Sequence, residues 1–229
     1  PTSLINDATN FIQLVVHNIH IIHSTRAMAF SIKGLYYLNS VMPSENNIEL
    51  IRLLSDRIVQ MYKHEAIDQW QWYESYLTYG NSILPEAMLC AWKATNEIKY
   101  KEIAKSSFDF LLSKIFNKKG IKVITNQGWM HRGKLQNESI KGGEQPIDVA
   151  YTIMALEFFA NDFPSEDYLN KIVIAFNWFL GSNHLHQIIY YPWTGGCYDG
   201  LEGKYVNLNQ GAESSLSYLM ARLTIEKLN

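Results

Sequence analysis

Three carboxylates recur in one local setting. Each stands just inside a stretch whose apolar residues repeat at helical spacing, and each follows a polar residue. Asn81 leads through Ser82 and Pro85 to Glu86, Gln145 through Pro146 to Asp148, and Asn209-Gln210-Gly211 to Glu213. A fourth such stretch opens on Ser24-Thr25-Arg26 and offers a cation instead. Singly, these are ordinary helix starts, since proline fits the first turn and the helix dipole favours an acid there. Together, they set several carboxyl groups at corresponding ends of neighbouring helices. Carboxylates at the mouth of one pocket are the equipment for cleaving a glycosidic bond, one as general acid and another as base or nucleophile. In an inverting reaction the two stand roughly 6.5 to 9.5 Å apart to admit a water, and in a retaining one they are closer.

The connecting segments carry what holds a sugar. Trp70, Trp72, Tyr73, Tyr76 and Tyr79 surround Glu74; Trp129 follows Asn126-Gln127-Gly128; Tyr190, Tyr191, Trp193 and Tyr198 lead to Asp199. Aromatic faces stack on the C–H face of a pyranose while amides and carboxylates hold its hydroxyls, although aromatic residues also tie down long loops by packing. The run Thr194-Gly195-Gly196-Cys197-Tyr198-Asp199-Gly200 reads as a tight loop whose glycines let backbone approach a ligand, and Asp199 equally suits shaping that turn.

These residues must be positioned by helices. Apolar residues recur at helical spacing in Leu4 to Ile22, Arg26 to Ser40, Glu45 to Ala66, Ser82 to Thr95, Lys99 to Phe116, Pro146 to Asn161, Ser165 to Leu180 and Gln210 to Glu226. Met42-Pro43-Ser44 predicts a capped start near Glu45. Strand-like runs are short, Ile121 to Thr125 and Gln187 to Tyr191, and both fall in loops. The helices from Arg26 onward come in pairs, an apolar first member and a more charged second. That contrast suits an inner helix touched on all sides and an outer one with a wet face. Long connections, Ala66 to Asn81, Asn117 to Gln145 and Gly181 to Asn209, always precede the inner member, so they should gather on one rim. A helical hairpin repeated at this spacing is the mark of a solenoid or an (α/α) toroid. The fold class expected is all-α, a single domain over 1–229.

Composition narrows the partners. With 20 basic against 22 acidic side chains the net charge is −2, without the basic surplus that drives binding to nucleic acid. No apolar run approaches the length of a membrane span. Two cysteines far apart give no disulfide framework and leave the compartment open, leaning to the cytoplasm. His17, His20 and His23, and the pair His184 and His186, lack the acidic or thiol neighbours that metal ligation needs, so neither metal nor cofactor is expected. No phosphate-binding or dinucleotide fingerprint is present, Ser214-Ser215 lacks the elbow of a serine hydrolase, and the basic cluster Lys114 to Lys122 reads as a solvated helix end.

Trp70-Gln71-Trp72-Tyr73-Glu74, Leu77-Thr78-Tyr79-Gly80-Asn81, Leu84-Pro85-Glu86-Ala87, Glu144-Gln145-Pro146-Ile147-Asp148, Gly195-Gly196-Cys197-Tyr198-Asp199-Gly200-Leu201 and Asn209-Gln210-Gly211-Ala212-Glu213-Ser214 resemble bacterial helical-toroid proteins of the six-hairpin glycosidase type. Members often accompany glycosyltransferases and mannoside-processing enzymes. The resemblance runs from about Arg26 onward and implies an (α/α) toroid and sugar chemistry. A ring of six hairpins needs more chain than this, so the toroid is truncated or its N-terminal part lies upstream. The function expected is glycoside hydrolysis of an oligosaccharide, mannose-containing ones included. Asp148 and Glu74 are the favoured pair, and Glu86, Asp199 and Glu213 the alternates. Arg26, Asn81, Gln145 and Gln210 serve as hydroxyl contacts, and Trp72, Tyr79, Trp129, Trp193 and Tyr198 as stacking surfaces. The rivals are a sugar-binding or scaffold module that partners a glycosyltransferase, and a sugar epimerase, whose proton-shuttling histidines are missing from the inner-helix starts. The first and last helices, each without a hairpin mate, are expected to pack on each other or on a second copy of the chain.

Overall fold

The computed structural model describes residues 2–134 and 142–228. The periodic stretches become eight α-helices among the described residues: α1 (Thr2–Val15), α2 (Thr25–Val41), α3 (Glu45–Glu65), α4 (Ile83–Thr95), α5 (Ile98–Ile115), α6 (Pro146–Ala160), α7 (Tyr168–Asn177) and α8 (Ala212–Glu226). The first stretch is not one continuous helix, because α1 passes into a 3₁₀ segment, Val16–Ile21. The seventh is shorter than its apolar pattern suggests. Residues Pro164 to Asp167 form turns before Tyr168, and Trp178 to Leu180 tighten into turns after Asn177.

Short links fold α2 on α3, α4 on α5 and α6 on α7, which makes each pair antiparallel neighbours. Asn96, with φ 58°, ends α4 in the left-handed conformation and donates its N–H to the Trp92 carbonyl at 2.7 Å. Ser44 does occupy the position before α3, but its hydroxyl makes no capping bond; its N–H is instead held by the Asn39 side chain at 3.0 Å. The first members form a row in which α2 packs on α4, α4 on α6 and α6 on α8, with α3, α5 and α7 outside it. Ile83 to Ala91 of α4 are buried without a break, including Glu86, as expected of a helix enclosed by α2, α3, α5 and α6.

The two terminal helices do not pack extensively on each other. The 3₁₀ segment docks on α3, while α8 rests on α6 and α7. Both terminal helices keep apolar side chains in water: Leu4, Ile5, Phe11 and Leu14 on α1, and Leu216, Leu219 and Leu223 on α8.

The loops contain two-residue strands: β1 (Tyr76–Leu77), β2 (Phe116–Asn117), β3 (Gly120–Ile121), β4 (Met130–His131), β5 (Tyr190–Tyr191), β6 (Gly196–Cys197), β7 (Gly200–Leu201) and β8 (Val206–Asn207). All four pairings are antiparallel, and only parts of the two expected runs take part, Ile121 and Tyr190–Tyr191. The pairing of β1 with β4 joins the first long loop to the second. A bridge between Glu144 and Leu201, with bonds of 3.1 and 2.9 Å, joins the second to the third. Gly200 is required here. At φ 150° it brings its backbone so near that a Cβ would stand 2.3 Å from the Glu144 carbonyl oxygen.

Among the described residues no helix is long and apolar enough to cross a membrane.

Candidate active site

The linked loops and the starts of α6 and α8 enclose a cleft of about 300 Å³, lined by Asn126, Glu144, Gln145, Asp199, Glu202 and Glu213 among others. Its described lining includes no lysine, arginine or histidine side chain. Gln145 reaches it from the position before α6, and Glu213 from the first turn of α8. Glu213 is exposed, and its side chain makes no ion pair or hydrogen bond among the described residues.

Asp199 has the opposite character. Its carboxylate accepts from the Gly211 N–H at 2.8 Å, the Ser214 hydroxyl at 2.7 Å and the Asn209 amide, binding the third loop to the start of α8. Burial pushes the Asp199 carboxyl up, but the Ser214, Asn209 and Gly211 donors outweigh it and hold it below the ordinary range. It therefore acts as the loop-shaping carboxylate that the glycine-rich run also suggested.

Asp148 lies one turn inside α6 from Gln145 and is 7% exposed. Its Oδ1 accepts the Gly80 N–H at 2.6 Å. Burial drives its carboxyl up to about 7, against the opposing pull of the Gly80 bond and the Arg26 charge and with a further push from Glu213. The carboxyl thus keeps its proton close to neutrality, as a general acid must. Asp148 is not among the residues that line the cleft, and the void that adjoins it, about 10 Å³ between the starts of α4 and α6, the end of α5, Val123 and Ile124, is too small for a sugar.

Glu74 is committed elsewhere. Arg26 on α2 contacts both its carboxylate oxygens at 3.3 and 3.1 Å, and also donates to the Tyr79 carbonyl at 2.7 Å, the Thr78 hydroxyl at 2.6 Å and Asn81 Oδ1 at 3.3 Å. Asn81 in turn bonds the Thr78 N–H and carbonyl, closing the loop on itself. Both partners of the ion pair are nearly buried. Arg26 and Asn81 therefore organise the loop, and Tyr79, 58% exposed, covers the guanidinium with its ring at 5.1 Å. Glu86 is removed from the cleft as well. It is buried on α4 and paired with Lys33 of α2 at 2.7 Å; burial raises its carboxyl and Lys33 lowers it.

The aromatic candidates separate by burial. Trp72 is wholly buried against Tyr73 and Phe110, so it is a core residue and presents no face to a ligand; its polar flanks in sequence gave the opposite expectation. Trp129 stays 43% exposed and stacks on Tyr76 with centroids 5.8 Å apart. Trp193 stands 87% exposed at the tip of the β5–β6 hairpin, and Tyr198 leans on Tyr191 at 5.9 Å. Gln210 is exposed and accepts from the Thr194 hydroxyl at 2.9 Å, beside Gly196, where any Cβ would strike it.

Glu144 and His184 are the pair that sequence reasoning missed. Glu144 lines the cleft while its side chain is buried, Oε2 accepting the Trp178 indole N–H at 3.0 Å and Oε1 lying 2.9 Å from His184 Nδ1. Glu144 stood in the motif before Asp148, but nothing local marks His184 as its partner. Among the described residues no three His, Cys, Asp or Glu side chains gather as a metal ion would require. No protein-family model matches the sequence, and no curated protein matches it.

Proposed function

We propose that the protein is a carbohydrate-active enzyme of the glycoside hydrolase class, in an arrangement of hairpins related to an (α/α) toroid. The observation that carries this reading is a buried carboxyl, Asp148, pushed up to about 7, with the charge of Glu213, an exposed carboxylate that has no ion pair or hydrogen bond among the described residues, close enough to be felt by it. On this reading Asp148, which stands behind the cleft's lining one turn in from Gln145, is the general acid for the leaving oxygen, and Glu213, which lines the cleft, the base or nucleophile. Glu213 replaces Glu74 in the pair because Arg26 already holds Glu74. Gln145, Asn126 and Glu202 contact hydroxyls, and exposed Trp193 and Trp129 offer stacking faces at the rim. A cleft lined by carboxylates and amides, without a described cationic side chain, suits a neutral oligosaccharide better than a phosphorylated or acidic one.

The test is product analysis over a panel of oligosaccharides, mannosides included. Asp148→Asn should lower turnover by about 10²–10⁴-fold without unfolding the chain, the scale of losing a general acid. A second reading, a sugar-binding module, draws support from one fact: Glu74, Glu86, Glu144 and Asp199 all have partners inside the fold. Binding of a glycan with no turnover, unaltered in Asp148→Asn, would favour the module.

The exposed apolar faces of α1 and α8 support contact with a second copy of the chain. Sedimentation should then show a self-associating species that Leu219→Asp weakens; an unaltered monomer before and after the change would remove this expectation.

A further inference from the structure

Behind two residues of the cleft wall, Glu144 and Glu202, stands the His184 imidazole. Its Nδ1 lies 2.9 Å from Glu144 Oε1, and its Nε2 lies 2.9 Å from the backbone carbonyl oxygen of Glu202. Both neighbours only accept. Nε2–H reaches the Glu202 carbonyl, while Nδ1 faces the Glu144 carboxylate at ion-pair distance without an aligned hydrogen bond, so a neutral ring keeps the Glu202 bond and a protonated one adds a charge pair with Glu144. Glu144 and Glu202 both line the cleft, and they belong to two different loops, one leading into α6 and one between β7 and β8. These loops already touch through backbone: a Cβ on Gly142 would fall 2.2 Å from the Gly203 nitrogen.

We propose that His184 is a proton-operated clasp behind the cleft wall: as imidazolium it pairs its charge with the Glu144 carboxylate while Nε2–H holds the backbone of Glu202, and as neutral imidazole it keeps only the Glu202 bond. The charged groups that face it are few. Glu144 favours the imidazolium, by its polar contact at Nδ1 first and by charge as well, and the Glu202 carbonyl adds to this; burial and the Lys122 charge oppose it. The carboxylate of Glu202 accepts from the Gln127 amide at 2.5 Å and the second oxygen of Glu144 from the Trp178 indole, and both bonds stand whichever state the ring is in. The cleft is therefore closed on its Glu144–Glu202 side while His184 is charged, and loosens there as pH rises. The clasp does not depend on which sugar, if any, occupies the cleft.

The test uses the full chain without ligand. NMR titration of the His184 ring carbons, assigned by their loss in His184→Gln, should give a midpoint above that of the same residue in the denatured chain. Amide exchange, corrected for its intrinsic pH dependence, should rise roughly tenfold over 142–145 and 200–205 as the ring loses its proton, because these segments then open locally. In His184→Gln the same segments should exchange fast with no pH step, since an amide side chain does not titrate there. Glu144→Gln should bring the His184 midpoint down. A midpoint at or below the denatured value, or protection of both segments that is unchanged through the titration, would overturn the clasp, and the wild-type titration decides this even if a variant fails to fold.

Discussion

The knot around Arg26 and the cleft beside α8 are made from the same residue types, and they end in opposite states. In the knot one guanidinium serves Glu74, Thr78, Asn81 and the Tyr79 carbonyl, so every charge is neutralised inside the fold. In the cleft the described lining has no cationic side chain, Asp199 accepts from uncharged donors, Glu144 from the Trp178 indole with His184 close by, and Glu213 is exposed. A nearly buried carboxylate needs a partner because desolvation would otherwise cost several kcal/mol, whereas an exposed one needs none. Where the chain places its arginine thus decides which acids are framework and which remain free for a ligand.

The largest expected effect comes from breaking the knot. Arg26→Met should destabilise the chain by about 3–5 kcal/mol in urea denaturation, the scale of stranding a buried charge, because Glu74 loses the one cation that pairs with it among the described residues. A change under about 1 kcal/mol, within the range of exposed pairs, would show that water replaces the guanidinium and that knot and cleft are alike.

A contrast of similar size separates the two tryptophans. Trp72→Ala should cost about 3–5 kcal/mol by opening a cavity against Tyr73 and Phe110. Trp193→Ala at the hairpin tip should stay within about 0.5 kcal/mol, and any glycan affinity it removes would be direct evidence for stacking.

The helix pairs were legible because a 3.6-residue repeat sustained over fourteen or more positions leaves little else for a chain to form, as in α3 and α5. The tryptophans were not, since Trp72 and Trp129 both sit in polar segments and the packing of Tyr73 and of Phe110 from α5 makes the first of them core. The acids at the helix starts could be found, but not told apart. Glu86 is buried by Lys33, which comes from α2, and Asp148 is tethered by Gly80, 68 residues away. Glu144 and His184 meet across two loops, and the only local traces were Gly142-Gly143 before the one and Gly200 opposite its backbone.

A smaller effect follows from Asp148 and runs with pH. Its native carboxyl titrates at about 7 against an ordinary value of 3.8, so between those limits the folded chain holds a proton that the unfolded chain has released. Stability contributed by this group is therefore lost as pH rises toward about 7, and it levels off above that. Asp148→Asn should lack this slope and gain on the wild type by up to a few kcal/mol at pH 8 while matching it more closely near pH 4. Urea midpoints for the two proteins that stay parallel across that range would show that Asp148 ionises freely.

The smallest expected change tests whether Glu213 belongs with Asp148 at all. Glu213's negative charge opposes ionisation of Asp148, and of the four influences on that carboxyl it is the weakest, after burial, the Gly80 bond and the Arg26 charge. Glu213→Gln removes one like charge, so the Asp148 carboxyl should titrate slightly lower, a shift to be read from the carboxyl itself because the variant also lacks the proposed base. Because Glu213 is exposed, added salt already screens much of this influence, and the difference between wild type and variant should shrink at high ionic strength. Carboxyl-carbon NMR of Asp148 in both proteins at low and high salt measures this directly. An Asp148 titration that moves upward in Glu213→Gln would mean the two groups are linked by a shared hydrogen bond rather than by charge, and one that does not move at all would leave Glu213 as a cleft residue with no part in holding the proton.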